Sequence, residues 1–138
     1  MKFPIIHAER DFHFFEKLKN ALADFNEFEF IDHCCYLDAA LQSLEKHKPA
    51  LLITASKLYD ETKVVEAFCE FRESKLPDLK IVVLSSKDDV DHFLNSIIAG
   101  VEGYISKSSS NAEIYECIRT VIDGDNYLGV QKQSISHK

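Results

Sequence analysis

The chain has 138 residues, 46% of them hydrophobic, and a formal net charge of −7. That suits one compact domain with a sizeable core, and no apolar run reaches the roughly 18 residues that span a bilayer. The opening MKFPIIHAER turns polar too early for a secretory leader, so a cytoplasmic protein is expected. No stripe of Lys and Arg is present to neutralise phosphates, which argues against direct nucleic-acid contact by this domain.

In chain order, Lys2 to Ala8 (KFPIIHA) reads as a first strand. Phe12 to Phe25 follows as a helix, with Phe14, Phe15, Leu18, Ala21, Leu22 and Phe25 on one apolar face. Glu27 to Asp32 (EFEFID) alternates as a half-buried strand near a sheet edge would. Leu37, Ala40, Leu41 and Leu44 give the second helix its stripe. Ala50 to Ala55 (ALLITA) is continuously apolar, the pattern of a central parallel strand buried on both faces. Val64, Val65, Phe68 and Phe71 mark a third helix, closed by Pro77. Lys80 to Ser85 (KIVVLS) is a second buried strand, and Val90, Phe93, Leu94, Ile97 and Ile98 form the next helix, stopped by Gly100. Gly103 to Ser106 is a short fifth strand. The Ser108–Ser110 run offers an N-cap to a last helix lined by Ile114, Cys117, Ile118, Val121 and Ile122, which stops at Gly124.

Five βα units in series predict an α/β fold of the flavodoxin-like (βα)5 type. This is a five-stranded parallel sheet of order 2-1-3-4-5 with helices on both faces. Such a sheet presents its crevice at the carboxyl ends of the strands. The four cysteines, Cys34, Cys35, Cys69 and Cys117, fall at no metal or redox spacing and read as reduced thiols. The six histidines contain neither HxxxH nor HExxH, so no built-in metal site is expected.

The stretch from Lys80 to Gly129 resembles the receiver domain of two-component response regulators, in the branch that precedes a LuxR-type helix-turn-helix. The marks are a hydroxyl residue ending the fourth strand (Ser85), the pairs Ala99-Gly100 and Gly103-Tyr104, and Lys107, which lies 22 positions after Ser85. The N-terminal half matches in pattern but not in chemistry. Pro49-Ala50-Leu51-Leu52-Ile53-Thr54-Ala55 stands where receivers carry a motif like PDLVLLD, so the resemblance puts Ala55 at the phosphoacceptor aspartate. It puts Glu9 and Arg10 at the two acids that hold Mg²⁺, with Asp11 next, and Tyr59 at a usual proline. Residues 1–126 are then the receiver-like domain and residues 127–138 the start of a C-terminal linker.

Phosphoryl transfer to a receiver needs a carboxylate nucleophile, a divalent cation, and a lysine and hydroxyl to orient the phosphoryl oxygens. A methyl group at Ala55 is no nucleophile, and Arg10 repels the cation that two carboxylates attract, so Mg²⁺ binding is expected to be weak or absent. Lys107 is expected to pair with Glu9 or Asp11. Asp60 lies in the loop beyond Ala55, too far to replace the acceptor without moving. Glu9, Arg10, Asp11, Ser85 and Lys107 form a relic pocket, and Tyr104 matches the aromatic that turns inward in receivers on phosphorylation.

The expected function is that of an atypical receiver, a regulator rather than an enzyme, working through protein–protein contacts. Its partner is another protein or its own C-terminal DNA-binding domain, with homodimerisation a further possibility. A stand-alone adaptor is one alternative. A signalling module holding a small molecule or anion in the degenerate crevice is another. A flavin carrier is disfavoured, because HAERDFHF lacks a glycine- or hydroxyl-rich phosphate loop.

Overall fold

The computed structural model describes residues 2–86 and 90–128. Strands and helices alternate as β1 (Phe3–Ala8), α1 (Phe12–Leu22), β2 (Phe28–Cys34), α2 (Leu37–His47), β3 (Leu51–Ala55), α3 (Val64–Lys75), β4 (Lys80–Ser85), α4 (Val90–Ala99), β5 (Gly103–Ser106) and α5 (Asn111–Ile122). A short β6 (Tyr127–Leu128) completes the series. All neighbouring strands are parallel, in the order β2-β1-β3-β4-β5-β6.

The expected order is present, with β6 added at the far edge. Tyr127 and Leu128 pair with Gly103 and Tyr104 of β5, so the first two residues expected as linker belong to the sheet. Two residues carry too little periodicity to be read as a strand. An open edge of unpaired β5 amides and carbonyls makes their pairing favourable. The rest of the expected linker lies outside the described residues. α1 stops at Leu22, short of Phe25, and β2 runs on to Cys34, past Asp32.

The sheet separates two cores, because consecutive side chains along a strand point to opposite faces. Ile6, Leu52, Ile81, Val83 and Tyr104 pack on one side against α2, α3 and α4, through Leu44, Phe68 and Phe93. Ile5, Ile53, Val82, Leu84 and Ile105 pack on the other side against α1 and α5, through Leu18, Ile114 and Val121. The central strands β3 and β4 are buried on both faces, which is why their sequences are apolar runs rather than alternations.

Helix ends are fixed by specific groups. Ser110 caps α5 in a reciprocal box with Glu113, satisfying two otherwise unpaired amides. Arg72 on α3 grips both carboxylate oxygens of Glu102 at 2.8 Å and the carbonyl of Gly100 at 2.6 Å, tying α3 to the turn before β5. All four thiols are free, and burial pushes Cys34 and Cys117 up to about 12 and Cys69 up to about 11. These three are inert thiols at neutral pH. No described helix is long and apolar enough to cross a membrane.

Among the described glycines, the closest packing is at Gly103, where β5 passes between β4 and α5. A Cβ there would lie 2.9 Å from Val82 Cγ2 and 3.0 Å from Val121 Cγ2, both buried. Neither branched side chain can swing away without disturbing its core. Gly103→Ala should therefore cost about 1–3 kcal/mol, read as a lower urea midpoint with an unchanged slope.

Candidate functional site

The carboxyl ends of β1, β3, β4 and β5 deliver their following residues to one edge of the sheet. Glu9 comes directly after β1, Ala55 ends β3, Ser85 ends β4, and Lys107 follows β5. A cavity of about 290 Å³ opens there, bounded by Glu9, Arg10, Asp11, Ala55 and Lys107. Ser56, Lys57 and Ser86 complete its wall. Ser85 itself is buried behind the wall, and its carbonyl accepts from the Lys107 amide at 2.8 Å.

Glu9 is the hub. Its side chain is only 1% exposed, yet Lys107 Nζ lies 2.8 Å from its Oε1. Its Oε2 accepts from the Asp11 amide at 3.0 Å. Its backbone carbonyl meets His33 Nε2 at 2.8 Å, and its amide donates to the Cys34 carbonyl at 2.9 Å. The contact with Lys107 is a charge contact rather than a well-directed hydrogen bond. The ammonium also sits 4.7 Å from the centroid of the Phe14 ring, where the π face adds to its attraction.

Asp11 does different work from that expected of a pocket ligand. It is the N-cap of α1, and its Oδ1 accepts from the amides of His13 at 2.9 Å and Phe14 at 3.3 Å. An acid just before a helical apolar stripe is the sequence signal for such a cap. Asp60 is committed in a similar way: its carboxylate accepts from Leu37 N at 2.7 Å, at the start of α2. Thr54 is fully buried and donates to the Ala55 carbonyl at 2.8 Å. Arg10 is exposed and has no ion pair among the described residues, while the Tyr59 hydroxyl donates to its carbonyl at 3.3 Å.

These donors do not fit a divalent cation. Both oxygens of Glu9 are engaged, the neighbouring position is the cation Arg10, and Ala55 offers no side-chain oxygen. Hard cations need several free oxygens, which this edge does not supply. Among the described residues no cluster of three His, Cys, Asp or Glu is placed to hold a metal.

Tyr104 lies away from the crevice, in the core beneath α4, and is 1% exposed. Its hydroxyl is 2.6 Å from His92 Nδ1, and its ring packs edge-on against Phe93. Two histidines behind the crevice escaped the sequence reading. His33 stacks on Phe15 at a centroid distance of 3.9 Å. His7, on β1, is fully buried among Phe14, Phe15, Phe30 and His33, and neither ring nitrogen has a hydrogen-bond partner among the described residues. Its place between Ile6 and Ala8 in an apolar strand is the one hint in the sequence that it points inward.

Two measurements follow from this geometry. Removing one partner of a buried pair strands the other charge. Lys107→Met should therefore cost about 3 kcal/mol, and the Glu9→Gln/Lys107→Met double variant clearly less, in urea unfolding at pH 7. The second concerns His7. Burial, aided by the charges of His33 and Lys107, lowers it from 6.5 to about 3. The unfolded imidazole takes its proton near 6.5, so between there and about 3 the unfolded state binds more protons. Stability is complete above that window and falls as pH drops through it, by up to about 1.4 kcal/mol per unit. Unfolding midpoints at pH 7 and pH 5 should show this loss in the wild type, and a visibly smaller loss in His7→Phe.

The response regulator receiver domain family matches residues 5–119. The oxygen regulatory protein NreC of Staphylococcus carnosus is 29% identical over 110 residues, covering 75% of this chain and 47% of that protein. NreC of Staphylococcus epidermidis is 29% identical over 92 residues, covering 67% and 42%. The chain thus spans about half the length of the curated relatives it matches. The receiver domain of the putative response regulator NarL from Mycobacterium tuberculosis superposes with a TM-score of 0.78 at 19% identity, covering 89% of this chain and 98% of that one. A LuxR-family two-component response regulator from Aurantimonas superposes with a TM-score of 0.84 at 15% identity, covering 98% and 99%. At such identities the superpositions speak for the fold. With residues 5–119 matched, from within β1 to most of α5, the chain belongs to the response regulator receiver domain family.

Proposed function

We propose that this receiver is the regulatory domain of a LuxR-type transcriptional regulator and signals through protein contacts without aspartyl phosphorylation. The observation that carries the reading is the crevice itself. The position matching the acceptor is a methyl group, and Lys107 is already bound to Glu9 instead of waiting for a phosphoryl oxygen. The groups nearby that could substitute are spent: Asp60 caps α2, and the Thr54 hydroxyl is buried against a carbonyl.

The opposite face supports the contact model. Tyr104 is turned inward and held by His92 and Phe93, the orientation that accompanies the signalling state in receivers. Val90, Leu94 and Ile98 lie along the outer face of α4 at 62%, 48% and 82% exposure, an apolar stripe at four-residue spacing. A protein partner, a second copy or a DNA-binding domain following in the same chain would cover it. Which state is populated is then set by that partner's differential affinity rather than by phosphate.

An anion held in the crevice is the weaker reading. The cavity is near the lower end of the range for ligand pockets, and Glu9 already neutralises Lys107.

Incubation with acetyl phosphate and Mg²⁺, followed by intact-mass measurement, should leave the mass unchanged. Ala55→Asp alone should also gain no stoichiometric phosphoryl group, because Arg10 and the occupied Glu9 remain. A stoichiometric gain in the wild type overturns the proposal. A gain only in Ala55→Asp overturns the account of the metal site.

A further inference from the structure

A second concavity lies at the opposite end of the sheet, where the amino ends of β1, β3 and β4 meet the loops that enter them. It has a volume of about 550 Å³, within the 300–1,000 Å³ typical of small-molecule sites. Its apolar surface comes from Phe3 at the start of β1, Leu76 after α3, and Ile122 at the end of α5. Three cations share the lining: Lys48, Lys75 and Lys80. Asp78 is the one acid among them.

Two features of this lining bear on what it can hold. Lys75 has a partner, Glu45, at 3.3 Å, but Lys48 and Lys80 have no ion pair among the described residues. In a chain of net charge −7, two unpaired cations on one apolar concavity concentrate positive potential where the rest of the molecule is acidic. The second feature is the backbone at Lys48. It ends α2 in the left-handed region at φ 46 and is the one described non-glycine residue with positive φ. Helices usually give that position to glycine, which pays no steric penalty there. A lysine costs more and places a cation beside the cavity, and strain of this kind collects at binding sites. Pro49 follows at once and restricts the backbone of Lys48 further.

We infer that this cavity is a binding site for a small amphiphilic organic anion, a carboxylate carried on an apolar body. The carboxylate lies against Lys48 and Lys80, and the apolar body lies on Phe3, Leu76 and Ile122. Burying apolar ligand surface drives association, and the two ammonium groups select the anion over a neutral molecule of the same shape. The site is at the far end of the sheet from the crevice, so it stands whether or not the crevice accepts phosphate.

Octanoate is a suitable probe, titrated into uniformly ¹⁵N-labelled protein while amide shifts are recorded. Saturable shifts are expected at Phe3, Ala50, Leu79 and Ile122, with Glu9, Ala55 and Lys107 unmoved. The Lys48→Ala/Lys80→Ala variant should bind about fivefold more weakly or worse, and Lys48→Arg/Lys80→Arg should retain affinity. The spectra themselves report that each variant is folded. Absence of saturable shifts, shifts centred on the crevice, or equal affinity in the alanine variant would each overturn the inference.

Discussion

A carboxylate with 1% exposure can persist as an anion only if a cation and directed hydrogen bonds replace the water it has lost. Glu9 meets that requirement with Lys107, the Asp11 amide and the geometry of its own loop. The consequences spread through the carboxyl edge of the sheet. The ion pair joins the loop after β1 to the loop after β5, although β3 and β4 separate those strands. The same loop carries the cap of α1 on Asp11 and receives His33 from β2 on the Glu9 carbonyl. Lys107 is drawn over Phe14, whose ring belongs to the α1 core. A group positioned in this way is well suited to holding loops still and poorly suited to receiving a cation or a phosphoryl group.

The neighbourhood of His7 shows what the arrangement costs. A fully buried imidazole with both nitrogens unpartnered loses the hydrogen bonds it made in water. It stays neutral because desolvation in its aromatic cage, and after it the charges of His33 and Lys107, oppose its protonation. The positive charge that Glu9 requires is thus one of the reasons His7 cannot titrate at ordinary pH. Lys107 touches both sites, as the ion-pair partner of Glu9 and as a minor charge acting on His7.

The sequence displayed the fold well because a parallel sheet covered on both faces demands apolar runs at β3 and β4, and helices that cover it must show a period of 3.6. It also displayed the spacing that brings Ala55, Glu9 and Lys107 to one edge, since βα units put every strand end on the same side. What it hid depends on tertiary contact. Asp11 and Asp60 are acids near a crevice in the sequence and helix caps in the structure, and the choice is made by which amides stand unpaired nearby. Ser85 and Ser86 are adjacent, and strand pleat decides which one is buried and which faces the cavity. β6 is too short to signal itself. The amino-end cavity was invisible because its lining comes from four separate stretches of chain, the start of β1, the α2–β3 and α3–β4 connections and the end of α5, and no local pattern brings them together.

On the proposed reading, the two ends of the sheet and the α4 face have come under different constraints. The crevice at the carboxyl ends is lined by an internal ion pair that ties two of its loops together, so its contribution is to rigidity. α4 retains an exposed apolar stripe whose only evident physical use is to be covered. The inward Tyr104 links the two, because β5 carries it in the same strand that leads directly to Lys107. In the receivers this chain resembles, the aromatic turns inward when phosphorylation draws in the strand-four hydroxyl. Here Lys107 is satisfied from within the chain, and Tyr104 is already packed on Phe93 beside His92. On the proposed reading, the Glu9 carboxylate holds Lys107 in the place of an incoming phosphoryl group, and His92 and Phe93 hold the aromatic inward with no modification required.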